Sequence, residues 1–166
     1  YFDRLPDTYV VAEKILGGDE QLPSGWGAHG VTGYDFLNVV NGAFIDPGGF
    51  EKLERIYADF TSSQQTFTEV VHAPQRQVMN ELFAGELTAL VRRLTELAEA
   101  DRHARDLRND ELKEALVAVT ARLPVYRTYV RDRDVSEIDL AYIENAIDAS
   151  GSGPAFDFLR RVLLIQ

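Results

Sequence analysis

The sequence predicts a mainly α chain, a helical insertion flanked by two short strands of an incomplete sheet or barrel. Three observations carry this. Apolar residues recur at helical spacing through most of the chain; two strand-like segments, at 9–12 and 125–130, stand far apart; and a glycine-rich stretch at 17–33 shows no periodicity. A lone pair of strands is marginal in water, so these two make better sense as staves of a larger sheet.

Tyr9, Val10, Val11 and Ala12 follow Pro6-Asp7 and read as a buried strand whose carboxyl end delivers Glu13 and Lys14. Residues 17–33 form a loop carrying Pro23 and Trp26, and structureless loops of that length tend to be functional. Phe36, Val39, Val40 and Ala43 then keep the spacing of one buried helix face, as do Phe50, Leu53, Tyr57 and Phe60 after the Pro47-Gly48-Gly49 break. Leu87, Leu90, Val91, Leu94 and Leu97 mark a longer amphipathic helix, expected to run from near Pro74 to near Asp101. Leu112, Ala115, Leu116, Val119 and Leu123 define the next. Asn109 is its expected N-cap, with Asp110 and Glu111 in the first turn, where the helix dipole favours acids.

Pro124 stops that helix, and Val125-Tyr126-Arg127-Thr128-Tyr129-Val130 has strong strand preference. A charged turn at 131–134 leads to Ser136-Glu137-Ile138-Asp139, a capping-box-like start, and Leu140, Ile143 and Ile147 form the buried face behind it. The Ser150-Gly151-Ser152-Gly153 loop precedes a last helix with Pro154 at its first position and Ala155, Phe158, Leu159 and Val162 inward. The expected domains are 1–16, a strand bearing Glu13; 17–122, the loop and helical insertion; and 123–166, a second strand and the helices after it.

Composition narrows the function. Seventeen basic side chains against 27 acidic ones leave a net charge of −10, which repels phosphate backbones and excludes nucleic acid as the main partner. No apolar run approaches the ~20 residues of a membrane helix, so no membrane partner is expected. The absence of cysteine excludes disulfides, thiolate zinc sites and cysteine nucleophiles, and suits a reducing cytoplasmic setting. His29, His72 and His103 fall in no metal-ligand spacing and read as surface or loop residues; neither metal nor other cofactor is expected. Asp110, Glu111, Asp139 and Glu144 read as solvated helix carboxylates. The chain opens on Tyr1-Phe2-Asp3 and stops on the apolar Val162-Leu163-Leu164-Ile165-Gln166, which suggests a segment of something larger.

Glu13 stands apart. A carboxylate at the carboxyl end of a strand, opening a long glycine-rich loop, sits where barrel enzymes place catalytic groups. Partly desolvated, it could hold a proton at neutral pH, as a general acid must. Position alone leaves a second reading open, a strand-end Glu paired with Lys14 or a distant Arg.

The order of several segments adds to this. Val11-Ala12-Glu13-Lys14-Ile15-Leu16, Glu20-Gln21-Leu22-Pro23, Trp26 and Val31-Thr32-Gly33-Tyr34-Asp35-Phe36-Leu37-Asn38 resemble the maltooligosyl trehalose synthase family, within the α-amylase superfamily (glycoside hydrolase family 13). So do Asn41-Gly42, Asp46-Pro47, Phe67-Thr68-Glu69-Val70-Val71, Arg76, Leu123-Pro124-Val125-Tyr126-Arg127-Thr128-Tyr129 and Phe156-Asp157-Phe158-Leu159-Arg160. The chain departs from the family at His72-Ala73-Pro74-Gln75 and in the loop at 150–153.

The resemblance implies a (β/α)8 barrel and the conversion of the reducing-end α-1,4 bond of a maltooligosaccharide into an α,α-1,1 bond, by retaining intramolecular transglucosylation. It implies that Glu13 is the acid/base on the fifth barrel strand and that residues 125–130 form the sixth. It puts the Asp nucleophile before Tyr1 and a third carboxylate after Gln166. The expected partners are the maltooligosaccharide and the rest of the parent barrel, and this segment alone is expected to be inactive. Lys14, Tyr34, Asp35, Tyr126 and Arg127 are the expected contacts enclosing the released glucose. Two other readings remain: an α-glucan hydrolase or branching enzyme of the same superfamily, or a non-catalytic helical interaction module.

Overall fold

The computed structural model describes residues 8–18, 20–23, 25–131 and 133–166. Pro6, Asp7 and the opening Tyr1-Phe2-Asp3, with Asp132 of the charged turn, lie outside the described residues. Among the described residues, two strands and seven helices follow in the order β1 (Val11–Ala12), β2 (Gly30–Val31), α1 (Tyr34–Gly42), α2 (Pro47–Thr61), α3 (Phe67–Glu81), α4 (Ala84–Ala100), α5 (Asn109–Thr120), α6 (Glu137–Ser150) and α7 (Pro154–Leu163). The mainly helical class read from the sequence holds. The chain divides into two units, Tyr1–Gln64 and Gln65–Gln166.

In the first unit β1 and β2 pair in parallel, Val11 opposite Gly30 and Ala12 opposite Val31. The His29 N–H donates to the Val10 carbonyl at 2.7 Å and the Thr32 N–H to that of Ala12 at 3.1 Å. Parallel neighbours need a crossover of roughly a dozen residues or more, and the glycine-rich loop provides it. The expected strand is therefore present in its second half, but it is not buried: Tyr9 is 76% exposed and Val11 43%. Its neighbour lies inside the stretch read as pure loop.

Gly33 caps α1 at φ +100°, a left-handed conformation that costs other residues a Cβ clash. Asp46 caps α2 by accepting from the Gly49 N–H at 2.8 Å, so close that a Cβ on Gly49 would lie 2.8 Å from the same carboxylate oxygen. Pro47 fills the first helical position. Both helices form where their spacing predicts, yet neither contains a buried residue; Phe36, Val39, Phe50, Leu53, Tyr57 and Phe60 are all more than half exposed. Periodicity fixes which side of a helix seeks cover, and the described residues supply none.

The second unit holds the core. Thr66 and Glu69 close a reciprocal capping box, so α3 starts there and runs through Pro74 rather than beginning at it. A break at Leu82 and Phe83 separates α3 from α4, where one longer helix was expected. Leu87, Val91 and Leu94 are buried on α4, while Leu90 and Leu97 are half exposed. Asn109 is not the cap of α5: Arg108 takes that place, its N–H donating to Glu111 at 2.8 Å, and the Asn109 side chain instead accepts from the Thr95 hydroxyl at 2.8 Å. Asp110 pairs with Arg108, so these first-turn acids are engaged rather than merely solvated.

Ser136 caps α6 by accepting from the Asp139 N–H at 3.1 Å, and Pro154 opens α7, both as the sequence predicts. Leu112, Val119, Ile143, Ile147, Phe158 and Leu159 make the centre of the core, each at most 3% exposed. Leu140, expected inward, is 40% exposed, and Val162 is half-buried. Arg160 ties α6 to α7 through Glu144 at 2.8 Å and Asp148 at 2.7 Å.

Residues 125–130 are not a strand. β preference describes fitness for a paired, pleated surface, and no ladder forms along this segment; the nearest feature is an isolated antiparallel bridge between Arg131 and Asp134. The second barrel stave expected at 125–130 is thus absent among the described residues.

Candidate functional site at the carboxyl end of the parallel strands

Because β1 and β2 run in register, both chains leave the ladder on one edge, Glu13 from β1 and Thr32 from β2. There the chain turns sharply. The Ala12 carbonyl accepts from the Lys14 N–H at 3.0 Å as well as from the Thr32 N–H, so Glu13 is the centre of a three-residue turn. Glu13 is exposed, not partly buried as expected, and makes no hydrogen bond or ion pair among the described residues.

Lys14 takes the opposite course. Its ammonium meets Glu20 Oε1 at 2.6 Å, with both side chains 8% exposed. Glu20 Oε2 accepts from the Gly17 N–H at 3.1 Å, and the Glu20 N–H donates to the Gly17 carbonyl at 2.8 Å. Gly18, at φ +51°, supplies the left-handed residue inside this closure. A buried ammonium paired in this way is poorly placed to hold a substrate hydroxyl, the role expected of Lys14. The alternative reading, Glu13 paired with Lys14, is not what the structure shows.

On the β2 side, Thr32 and Gly33 lead directly into α1, whose first turn presents Tyr34, 40% exposed, and Asp35, exposed. Glu13, Lys14, Tyr34 and Asp35 therefore issue from one edge of the sheet. Tyr126 and Arg127 belong to the second unit. Tyr126 is 90% exposed beside the buried Val125, and the Arg127 guanidinium lies 4.9 Å from the centre of the Tyr129 ring.

In the sequence Glu20 stands out only as part of the Glu20-Gln21-Leu22-Pro23 segment. No spacing rule marks it, since Lys14 lies before the glycine-rich loop at 17–33 and Glu20 inside it. His29, read as a surface or loop residue, has its Nδ1 accepting from the Val10 N–H at 3.2 Å and its ring centre 4.9 Å from that of Tyr9.

His103 Nε2 accepts from Arg102 at 2.9 Å. His72 is not a simple surface residue: it sits on α3 with its Nε2 buried and without a partner among the described residues. Burial, reinforced by Arg122 and Arg76, pushes its imidazole below the ordinary value of 6.5. Among the described residues no group of three or more His, Asp or Glu side chains could hold a metal ion, and no helix is long and apolar enough to cross a membrane.

No family model matches the chain. The chain is similar to proteins named as trehalose-forming synthases of the maltooligosyl or glycosyl type. Specifically, the chain is similar to part of maltooligosyl trehalose synthase. It is 30% identical over 96 residues to the proteins of that name from two strains of Mycobacterium tuberculosis, a match covering 58% of this chain and 12% of theirs. In fold it matches a point mutant of maltooligosyltrehalose synthase from Arthrobacter ramosus, with a TM-score of 0.67 and 25% identity over 95% of this chain and 21% of that one. A glycosyltrehalose synthase matches with a TM-score of 0.64 and 28% identity, over 95% and 19%. The chain thus spans about an eighth of the length of the curated relatives and a fifth of the solved ones.

Proposed function

We propose that this chain carries the acid/base carboxylate, Glu13, of an enzyme that isomerises the reducing-end α-1,4 bond of maltooligosaccharides to an α,α-1,1 bond. The observation that supports it most is the isolation of Glu13: it sits at the apex of a turn on the carboxyl edge of two parallel strands, while the neighbouring lysine's charge is consumed by Glu20. In parallel α/β architectures that edge is where chemistry is done. The relatives' names supply the reaction class.

An Asp on another strand of the parent barrel attacks the anomeric carbon while Glu13 gives its proton to the departing oxygen. The released glucose stays bound and turns over. Its anomeric hydroxyl then attacks the glycosyl-enzyme and Glu13 takes a proton back, so configuration is retained. Isomerisation outruns hydrolysis only if water is kept out. Tyr34 and Asp35, from the edge that carries Glu13, are proposed to enclose the released glucose, and Tyr126 and Arg127 are proposed separately as maltooligosaccharide contacts of the full-length enzyme. One carboxylate cannot both protonate the leaving group and form the covalent intermediate, so the chain alone is inactive. The rest of the parent barrel supplies the second carboxylate and covers the apolar faces of α1 and α2. The absence of cysteine fits work in a reducing cytoplasm.

The deciding experiment uses the full-length protein on maltopentaose. The expected product is non-reducing and unchanged in length, and Glu13→Gln slows its formation by about 100-fold or more. Shorter sugars indicate a hydrolase instead, and a Glu13→Gln variant keeping a tenth of the normal rate removes Glu13 from the chemistry.

A further inference from the structure

Glu13 and Lys14 are neighbours in sequence, so an unpaired ammonium on Lys14 would lie within reach of the Glu13 carboxylate. A buried lysine requires an anion, and two compete: Glu13 beside it and Glu20 across the turn. The structure gives Lys14 to Glu20 at 2.6 Å, with both groups 8% exposed, and leaves Glu13 facing solvent. Glu20 is itself held, by the Gly17 N–H at 3.1 Å and by its own N–H on the Gly17 carbonyl at 2.8 Å. A buried ion pair is weak evidence of added stability, since apolar replacements of similar shape often serve as well. Removing one partner is different, because it leaves a buried charge that must find another.

We infer that Glu20 is a positioning residue whose task is to hold the Lys14 charge away from Glu13, leaving that carboxyl group free to give and take a proton. The inference rests on the reading of Glu13 as the proton carrier. Without Glu20, Lys14 turns to the nearest carboxylate and ties it up as an ion pair.

The test uses Glu20→Gln in the full-length protein, which removes the charge but keeps an acceptor for the Gly17 N–H. Its kcat on maltopentaose is expected to fall about tenfold or more with KM changed less than about twofold. In its crystal structure the Lys14 Nζ is expected within about 4 Å of the Glu13 carboxylate. Adding Lys14→Met is expected to bring kcat back to within about threefold of the original, which loss of a merely structural brace would not allow. An unchanged kcat in Glu20→Gln, a Lys14 that stays clear of Glu13, or a double variant as slow as the single one overturns the inference. Full activity in Glu13→Gln sinks the underlying reading of function, whereas the position of Lys14 in the Glu20→Gln crystal judges the present inference alone.

Discussion

Arg161 on α7 donates to Asp101, just past the end of α4, at 2.6 Å. The link joins segments far apart in the sequence on the rim of the helical core. The His103 N–H, donating to Asp101 at 2.8 Å, and then the Arg161 guanidinium hold the Asp101 carboxyl below its ordinary 3.8. A folded value below the unfolded one means stability present above about 3.8 and lost as pH falls through the lowered value. Asp101→Asn is expected to flatten this part of the acid-unfolding curve, measured by circular dichroism across the acid range.

His72 gives a second window at higher pH. Its folded value lies below 6.5, so folding is favoured by this group above 6.5 and the advantage is lost as pH drops. His72→Phe fills the site without a titrating nitrogen. The melting temperature of the variant is expected to depend less on pH between about 5 and 7 than that of the original. Parallel curves for the two proteins would clear His72 of any part.

Ile143 lies 2% exposed in the centre of the core, where α6 packs against α5 and α7. Ile143→Ala deletes buried methyl groups and leaves a cavity, at an expected cost of about 2–5 kcal/mol in denaturant unfolding with little change in the slope.

For the proposed maltooligosaccharide contacts of the second unit, Arg127→Ala or Tyr126→Phe in the full-length protein should raise the share of free glucose among the products, by about tenfold if a charged hydrogen bond is lost. Chromatography of the maltopentaose digest measures it. An unchanged ratio removes both side chains from the proposed sugar contacts.

The second unit was largely legible in the sequence because its signals are local and their partners lie within the same chain. Ser136 and Pro154 mark helix starts by capping chemistry, and Ile143, Ile147, Phe158 and Leu159 are buried by one another's surfaces. The opening of α3 at the Thr66–Glu69 box was missed because Pro74 looked like a start, although a proline inside a helix is a defect that flanking turns can absorb. Residues 125–130 were over-read for the opposite reason: strand preference is realised only beside another strand. β2 was under-read, since Gly30 carries no β signal and two residues have no period. At the candidate site, the position of Glu13 just past a strand was legible from the β-branched run before it. The pairing of Lys14 with Glu20 was not, because contacts inside an irregular loop obey no spacing rule.

The tight turn at Glu13 has one more consequence. The backbone at Glu13 is held by hydrogen bonds its neighbours make, those accepted by Ala12, while its side chain has no partner among the described residues. The turn therefore fixes where the backbone presents residue 13 without calling on that side chain, so Glu13→Gln is expected to leave the ladder at Val11 and Ala12 in place.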